Sequence, residues 1–318
     1  MTARPRRTSR WVLAPLLAVG TSLFAILLPQ RAGPIAAFVA IAPIAYSLLL
    51  VALIPLALLQ RGRWLAVAVT AAGVVGVVAY APSAAPPHVT ALDPVTLVTW
   101  NLHGEEADAV GLDAALAQWE PDLVVLQEAG LETASHFDSD MTTMHHADAA
   151  TPPGVLLATR LPILDSGVLD APAGVWDRPR AFWLTLDTGG RPLTFVGVHL
   201  NVPFPLSSLP CPYCPTLRDE QVAALAAFAT ARQAAGESVV VAGDLNLTER
   251  EVVYRDLAAL TDVARGGTWR PLPVSWLPAV LRLDYVMTGA GIGLAAADVD
   301  CSMSSSDHCP LMVRLALP

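Results

Sequence analysis

The run Ser238-Val-Val-Val-Ala-Gly-Asp-Leu-Asn246 limits the possible folds more than any other stretch. Three consecutive valines predict a buried strand, because β-branched residues fit a pleated surface covered on both faces. Gly243 ends the apolar run, and a carboxylate and a carboxamide follow two apart, at Asp244 and Asn246. A strand period of two places both on one side. Polar groups at the end of such a strand sit where layered α/β folds bind their ligands. The alternative is an Asx turn that closes a loop.

Strand after strand ends in the same way. Val95–Trp100 predicts a strand running into Asn101-Leu-His103-Gly104, and Asp108–Trp119 has helical spacing through Val110, Leu112, Leu116 and Trp119. Leu-Val-Val-Leu then ends at Glu128. Met141–Ala150 is polar, and its adjacent His145 and His146 would point opposite ways on an extended chain, so a solvated loop is expected rather than a metal site. Gly154–Arg160 is a further strand. Ala181–Asp187 and Leu193–His199 flank Thr188-Gly-Gly-Arg191, a hairpin turn built for positive φ, and the second arm finishes in His199-Leu-Asn201. Helical spacing returns over Thr216–Ala235, and a helix is expected from about Glu249 to Leu260. Leu283–Met287, Gly293–Val299 and Leu311–Leu317 complete the strands, the last preceded by Ser306-Asp307-His308. Strands outnumbering helices, and buried on both faces, predict stacked sheets with helices outside.

Charge divides the chain. Residues 1 to about 92 hold seven of the 19 arginines and no acidic residue, and all 28 acidic residues follow. There is no lysine, so the remainder carries 12 − 28 = −16. Trp11–Leu28, Pro34–Leu59 and Trp64–Ala81 are uncharged apolar stretches near the ~20 residues that span a bilayer. Three transmembrane helices are expected in residues 1–81, ahead of a Pro-rich linker over 82–94 and a catalytic domain over 95–318. A soluble helical bundle or a signal peptide fits less well, since no stretch has a polar face and two more follow the first. Arginines before the first stretch and at 61 and 63 place the N-terminus in the cytoplasm. That implies a multi-pass cell-membrane protein with its catalytic domain outside the cytoplasm, contacting the bilayer through these helices.

The four cysteines all lie in the C-terminal part. An even number in an exported domain suggests two disulfides, 211–214 and 301–309 by proximity. Cys211-Pro-Tyr-Cys214 also has redox spacing, but it sits among five prolines from Pro203 to Pro215 and does not open a helix. A four-cysteine zinc site suits the 301–309 spacing poorly.

Taken in order, Trp100-Asn-Leu102, Leu126-Gln-Glu128, Val198-His-Leu200, Gly243-Asp-Leu-Asn246, Leu283-Asp-Tyr-Val286 and Ser306-Asp-His308 resemble the endonuclease/exonuclease/phosphatase superfamily of metal-dependent phosphoesterases. Gly154-Val-Leu-Leu-Ala-Thr-Arg-Leu-Pro162 resembles a further motif of that family, with Thr where Ser is usual. The resemblance covers about Val95 to Pro318 and implies a four-layer αββα sandwich of two packed mixed sheets flanked by helices, with the site at one edge of both sheets. It implies Glu128 as a ligand of Mg2+ (Mn2+ as substitute), with Asn101 and Asp307 beside the metal and Asn101 also placing phosphate. Asp244 and Asn246 match the pair that orients the attacking water and holds phosphoryl oxygens. His308 matches the catalytic histidine and Asp284 its orienting carboxylate, while His199 matches a second histidine that contacts phosphate or protonates the leaving group. Arg178 or Arg180 matches a phosphate-contacting arginine. His103 and His136 match no role.

These residue types suit the chemistry independently. Phosphoester hydrolysis needs neutralised oxygens, a positioned water and a proton for the leaving group. A hard cation on carboxylates and a His–Asp pair supply them. The expected substrate is a phosphoester: a lipid headgroup, a nucleotide or nucleic acid. Duplex binding draws its affinity from Lys and Arg, so the −16 balance favours the smaller substrates. A nuclease, a thiol oxidoreductase and a non-catalytic binding module are the competing readings, and no protein partner is implied.

Overall fold

The computed structural model describes residues 86–104, 109–138, 140–148, 151–172, 181–203, 215–272, 278–303 and 306–318. The chain divides between Pro82 and Ser83 into two units, and every described residue belongs to the second.

Two units of the same design form the centre. In the first, β1 (Val95–Asn101), α1 (Ala109–Trp119) and β2 (Leu123–Ala129) make a parallel pair joined through a helix. In the second, β7 (Leu193–His199), α2 (Thr216–Ala234) and β8 (Ser238–Asp244) do the same. Antiparallel strands extend each pair. Beside β1 lie β12 (Leu311–Ala316) and β11 (Gly293–Val299), and beside β2 lie β4 (Thr151–Thr159) and β3 (Thr142–Asp148). Their order, β11-β12-β1-β2-β4-β3, is the first six-stranded sheet. β5 (Ile163–Val168), β6 (Ala181–Leu186), β9 (Thr261–Asp262) and β10 (Asp284–Thr288) build the second, in the order β5-β6-β7-β8-β10-β9.

Alternation along each strand assembles the layers. Val240 and Ala242 face Leu97, Val125, Leu157 and Val313 across the gap between the sheets. Their neighbours Val239 and Val241 pack with Val222, Leu225 and Ala229 of α2. On the other side Val124 and Leu126 pack with Leu112, Ala115 and Trp119 of α1. Burying each such aliphatic side chain contributes ~1.5–3 kcal/mol. The result is the expected αββα order, two packed mixed sheets with helices outside.

Three expectations are corrected. Met141–Ala150 contains a strand, β3, not only a loop; it is the outermost strand of its sheet, where a polar sequence is tolerated because one edge faces solvent. Glu249–Leu260 holds a 3-10 segment over Val252–Leu257 rather than a long helix, because the chain must turn back at once to pair β9 with β10. The third concerns the membrane. The stretches Trp11–Leu28, Pro34–Leu59 and Trp64–Ala81 lie outside the described residues. No helix among the described residues is long and apolar enough to cross a bilayer. α1 has 11 residues, and α2, with 19, carries Arg218, Asp219, Glu220 and Arg232. The multi-pass cell-membrane location with an extracytoplasmic catalytic domain is therefore withdrawn.

Candidate active site

Every described candidate lies at one end of the sheets. Asn101, His199 and Asp244 end β1, β7 and β8, and Glu128 lies one residue before the end of β2. Asp284 opens β10 directly opposite Asp244, because those strands are antiparallel. His308 precedes β12, which enters antiparallel to β1.

Asn101 joins the two sheets. Its Nδ2 donates to Glu128 Oε1 at 3.3 Å and to Asp244 Oδ2 at 3.0 Å. His199 Nε2 lies 3.7 Å from Glu128 Oε1 and 3.9 Å from Asp244 Oδ2. His308 Nε2 approaches the same Asp244 oxygen at 3.9 Å, while its Nδ1 pairs with Asp284 Oδ2 at 2.8 Å. Asp307 accepts from Trp269 Nε1 at 2.9 Å and lies 3.1 Å from His103 Nδ1. His103, whose amide N–H donates to Asn101 Oδ1 at 3.0 Å, thereby links Asp307 to the rest. Arg178 and Arg180 lie outside the described residues, as do Cys211 and Cys214. His136 pairs with Asp113 on α1.

Backbone geometry aims these side chains. Glu128 has φ +55° and coincides with a bulge between Gln127 and Ala129 in the pairing with β4. A bulge re-aims a side chain out of strand alternation. A left-handed non-glycine costs ~1–3 kcal/mol and concentrates where function over-determines the backbone. Gly243 has φ +137°, and a Cβ there would stand 2.0 Å from the Val198 carbonyl oxygen, so only glycine delivers Asp244 from β8. Asn246 does not share a strand face with Asp244. β8 ends at Asp244, and Asn246, at φ +50°, donates its amide N–H to Asp244 Oδ1 at 2.8 Å. The pair is assembled by an Asx-type turn, so the turn and the site are the same object.

Burial separates the carboxylates. The Glu128 side chain is 29 % exposed, against 1 % for Asp244 and 0 % for Asp284. Burial pushes the Asp244 carboxyl up to about 7, against the lowering pull of His308. Burial lowers His308, but the carboxylates of Asp284 and Asp244 outweigh it and hold the imidazole up at about 10. His308 is thus a charged donor, oriented by Asp284.

Several contributors carry no signal in the sequence motifs. Thr268 Oγ1 accepts the N–H groups of Leu283 and Asp284, and its carbonyl accepts that of Cys309 at 2.7 Å. Arg270 donates its backbone N–H to Asp307 O and its Nη2 to Ser306 O. Ser306 Oγ bonds Asn101 O and His308 N. Arg270 is the one charged residue between 266 and 281, which is the signal that marks it. Cys301 and Cys309 are disulfide-bonded and bracket Ser306, Asp307 and His308.

Two groups of atoms can hold a cation. Asp244, Asp284 and His308 offer ligand atoms within 4.8 Å of one another. Within that group His308 Nδ1 pairs with Asp284 Oδ2 at 2.8 Å, while the buried Asp284 Oδ1 has no hydrogen-bond partner among the described residues. The second is the more exposed Glu128 carboxylate beside Asn101, a hard-oxygen donor.

The sequence profile described as the Endonuclease/Exonuclease/phosphatase family matches residues 98–308. No curated protein sequence matches the chain. Among solved structures, D. rerio TDP2 complexed with a single-strand DNA product is similar at 17% identity and TM-score 0.56, over 70% of this chain and 99% of that one. The human Nocturnin catalytic domain with bound sulfate is similar at 17% and 0.53, over 71% and 95%. The Bacteroides thetaiotaomicron mannosyl-6-phosphatase is similar at 15% and 0.54, over 70% and 100%. These likenesses are of fold.

Proposed function

The chain belongs to the endonuclease/exonuclease/phosphatase family, and from that premise we propose that residues 95–318 form an Mg2+-dependent phosphoesterase that cleaves its substrate by attack of water. One observation carries the reading. Glu128, Asn101, Asp244, His308 and Asp284 form an unbroken run of contacts of 3.9 Å or less across both sheets.

Glu128, with Asn101, would hold the cation, and Asp307 would stand near it through His103. When bound, Mg2+ neutralises charge on the phosphoryl oxygens. The chain's own groups do the rest. Asp244, its carboxyl raised to about 7, takes a proton from the attacking water at Oδ2, an affinity matched to neutral pH. Asn246 fixes the rotamer of Asp244 through its backbone N–H on Oδ1. Protonated His308, its Nδ1 held by Asp284, presents Nε2–H to a phosphoryl oxygen. His199 Nε2, 3.7 Å from Glu128, supplies the leaving-group proton. Arg178 or Arg180 adds a phosphate contact in this reading.

The −16 balance without lysine favours a small or headgroup phosphoester over duplex DNA. A nuclease is the second reading, supported by the fold shared with a TDP2 that holds a single-strand DNA product. A non-catalytic module fits less well, because a buried His–Asp pair facing a second buried carboxylate is costly to desolvate and is the arrangement acid–base chemistry requires. Purified protein should hydrolyse bis-p-nitrophenyl phosphate with Mg2+ or Mn2+ and stop on addition of EDTA. A panel of phospholipids, inositol phosphates, nucleotides and single- and double-stranded DNA then ranks substrates. No turnover on any member would reject the reading.

A further inference from the structure

Arg218, in the first turn of α2, lies under the loop that leaves β8, with its side chain 1 % exposed. Its Nη1 donates to the backbone oxygen of Asn246 at 2.5 Å, and its Nη2 donates to Glu251 Oε2 at 2.5 Å. Glu251 Oε1 accepts the backbone N–H of Thr248 at 2.8 Å. The ion pair therefore grips both ends of Asn246–Thr248. Within that segment Asn246 is held at φ +50°, donating its amide N–H to Asp244 Oδ1 and its Nδ2 to Leu200 O at 2.9 Å. Asp244 Oδ1 thus faces Asn246, which leaves Oδ2 toward Asn101, His199 and His308.

We infer that Arg218 is a positioning residue for the reaction, acting through Asn246 on the orientation of Asp244. The inference rests on the phosphoesterase reading of this site. Removing the grip frees the Asn246 carbonyl and lifts the restraint that keeps the residue at φ +50° with its N–H on Asp244 Oδ1. A buried ion pair is poor evidence of stabilisation, because desolvation offsets its attraction. Its contribution here is to specify one loop conformation. Lysine cannot reproduce this, since a single ammonium does not span the Asn246 carbonyl and both Glu251 oxygens as a planar guanidinium does.

The test is a double-mutant cycle on bis-p-nitrophenyl phosphate hydrolysis, with Arg218→Lys, Asp244→Asn and the double variant at saturating metal. Arg218→Lys should lower kcat about 10- to 100-fold, as small misplacements do, with KM little changed. In the Asp244→Asn background, where there is no carboxylate left to orient, the same change should cost less than about 2-fold, because residues acting as one unit are not additive. Equal losses in both backgrounds would overturn the inference. Glu251→Gln replaces Arg218→Lys if the latter fails to fold. Amide hydrogen exchange at Asn246 gives a readout without turnover: it should quicken in Arg218→Lys, and an unchanged rate would also overturn the inference. Wild-type protein inactive on every phosphoester would sink the phosphoesterase reading alone, while the exchange rates still decide whether Arg218 shapes the loop.

Discussion

The units β1–α1–β2 and β7–α2–β8 share one topology, yet they deliver carboxylates of opposite character. β2 ends in a bulge that turns Glu128 outward at φ +55°, 29 % exposed and near a histidine. β8 runs regularly to its end, and Gly243 lets Asp244 sink to 1 % exposure among Asn101, Asn246 and His308. An outward carboxylate can meet a hydrated cation. A buried one is pushed toward neutrality. The positions are one register step apart, since Asn101 pairs with Gln127 and His199 with Asp244, and the bulge after Gln127 presents Glu128 instead.

Exchanging the two environments should produce the largest effect. Asp244→Asn is expected to lower kcat by ~10²–10⁴-fold with the metal requirement unchanged. Glu128→Gln should instead raise the Mg2+ concentration for half-maximal activity, by at least the ~10–100-fold typical of losing a partner around a metal. Metal titrations of both variants check this, and identical shifts would erase the distinction. Next in size is Gly243→Ala, where the added methyl meets the Val198 carbonyl. It should destabilise by roughly 2–4 kcal/mol in denaturant melts, while Gly190→Ala, with open space around it, should cost less than about 1 kcal/mol.

pH separates the carboxylates further. Asp244 has a folded pKa of about 7, above its ordinary 3.8. A raised pKa gives stability that is complete below the unfolded value and is lost as pH rises through the folded one. In EDTA, the melting temperature of wild type minus that of Asp244→Asn should therefore fall between about pH 4 and 7 and then level off. A flat difference would contradict the buried assignment. The smallest expected effect is Glu128→Gly, which relieves the left-handed backbone and should raise metal-free stability by ~1 kcal/mol while abolishing the metal response.

What the sequence discloses here follows from strand physics. The Val239–Val241 run, Gly243 and the polar residues after each strand are local signals, and they place Asn101, Glu128, His199, Asp244, Asp284 and His308 at strand ends. Layering follows from alternation. The bulge at Glu128 leaves no mark, because Gln127 and Ala129 read as ordinary strand. Asn246 is predicted on the strand face of Asp244 because two-residue spacing was carried past the end of β8, where a turn takes over. Thr268, Arg270 and Arg218 act through long-range hydrogen bonds to carbonyls, which depend on tertiary placement and not on any spacing. β3 eluded the pattern because an edge strand can be polar.

Crystals soaked in Mn2+ and measured for anomalous scattering test the contrast between the carboxylates most directly. The account predicts a peak against Glu128 and Asn101, with His308 still bonded to Asp284. A peak enclosed by Asp244, Asp284 and His308, or no peak beside Glu128, would contradict it.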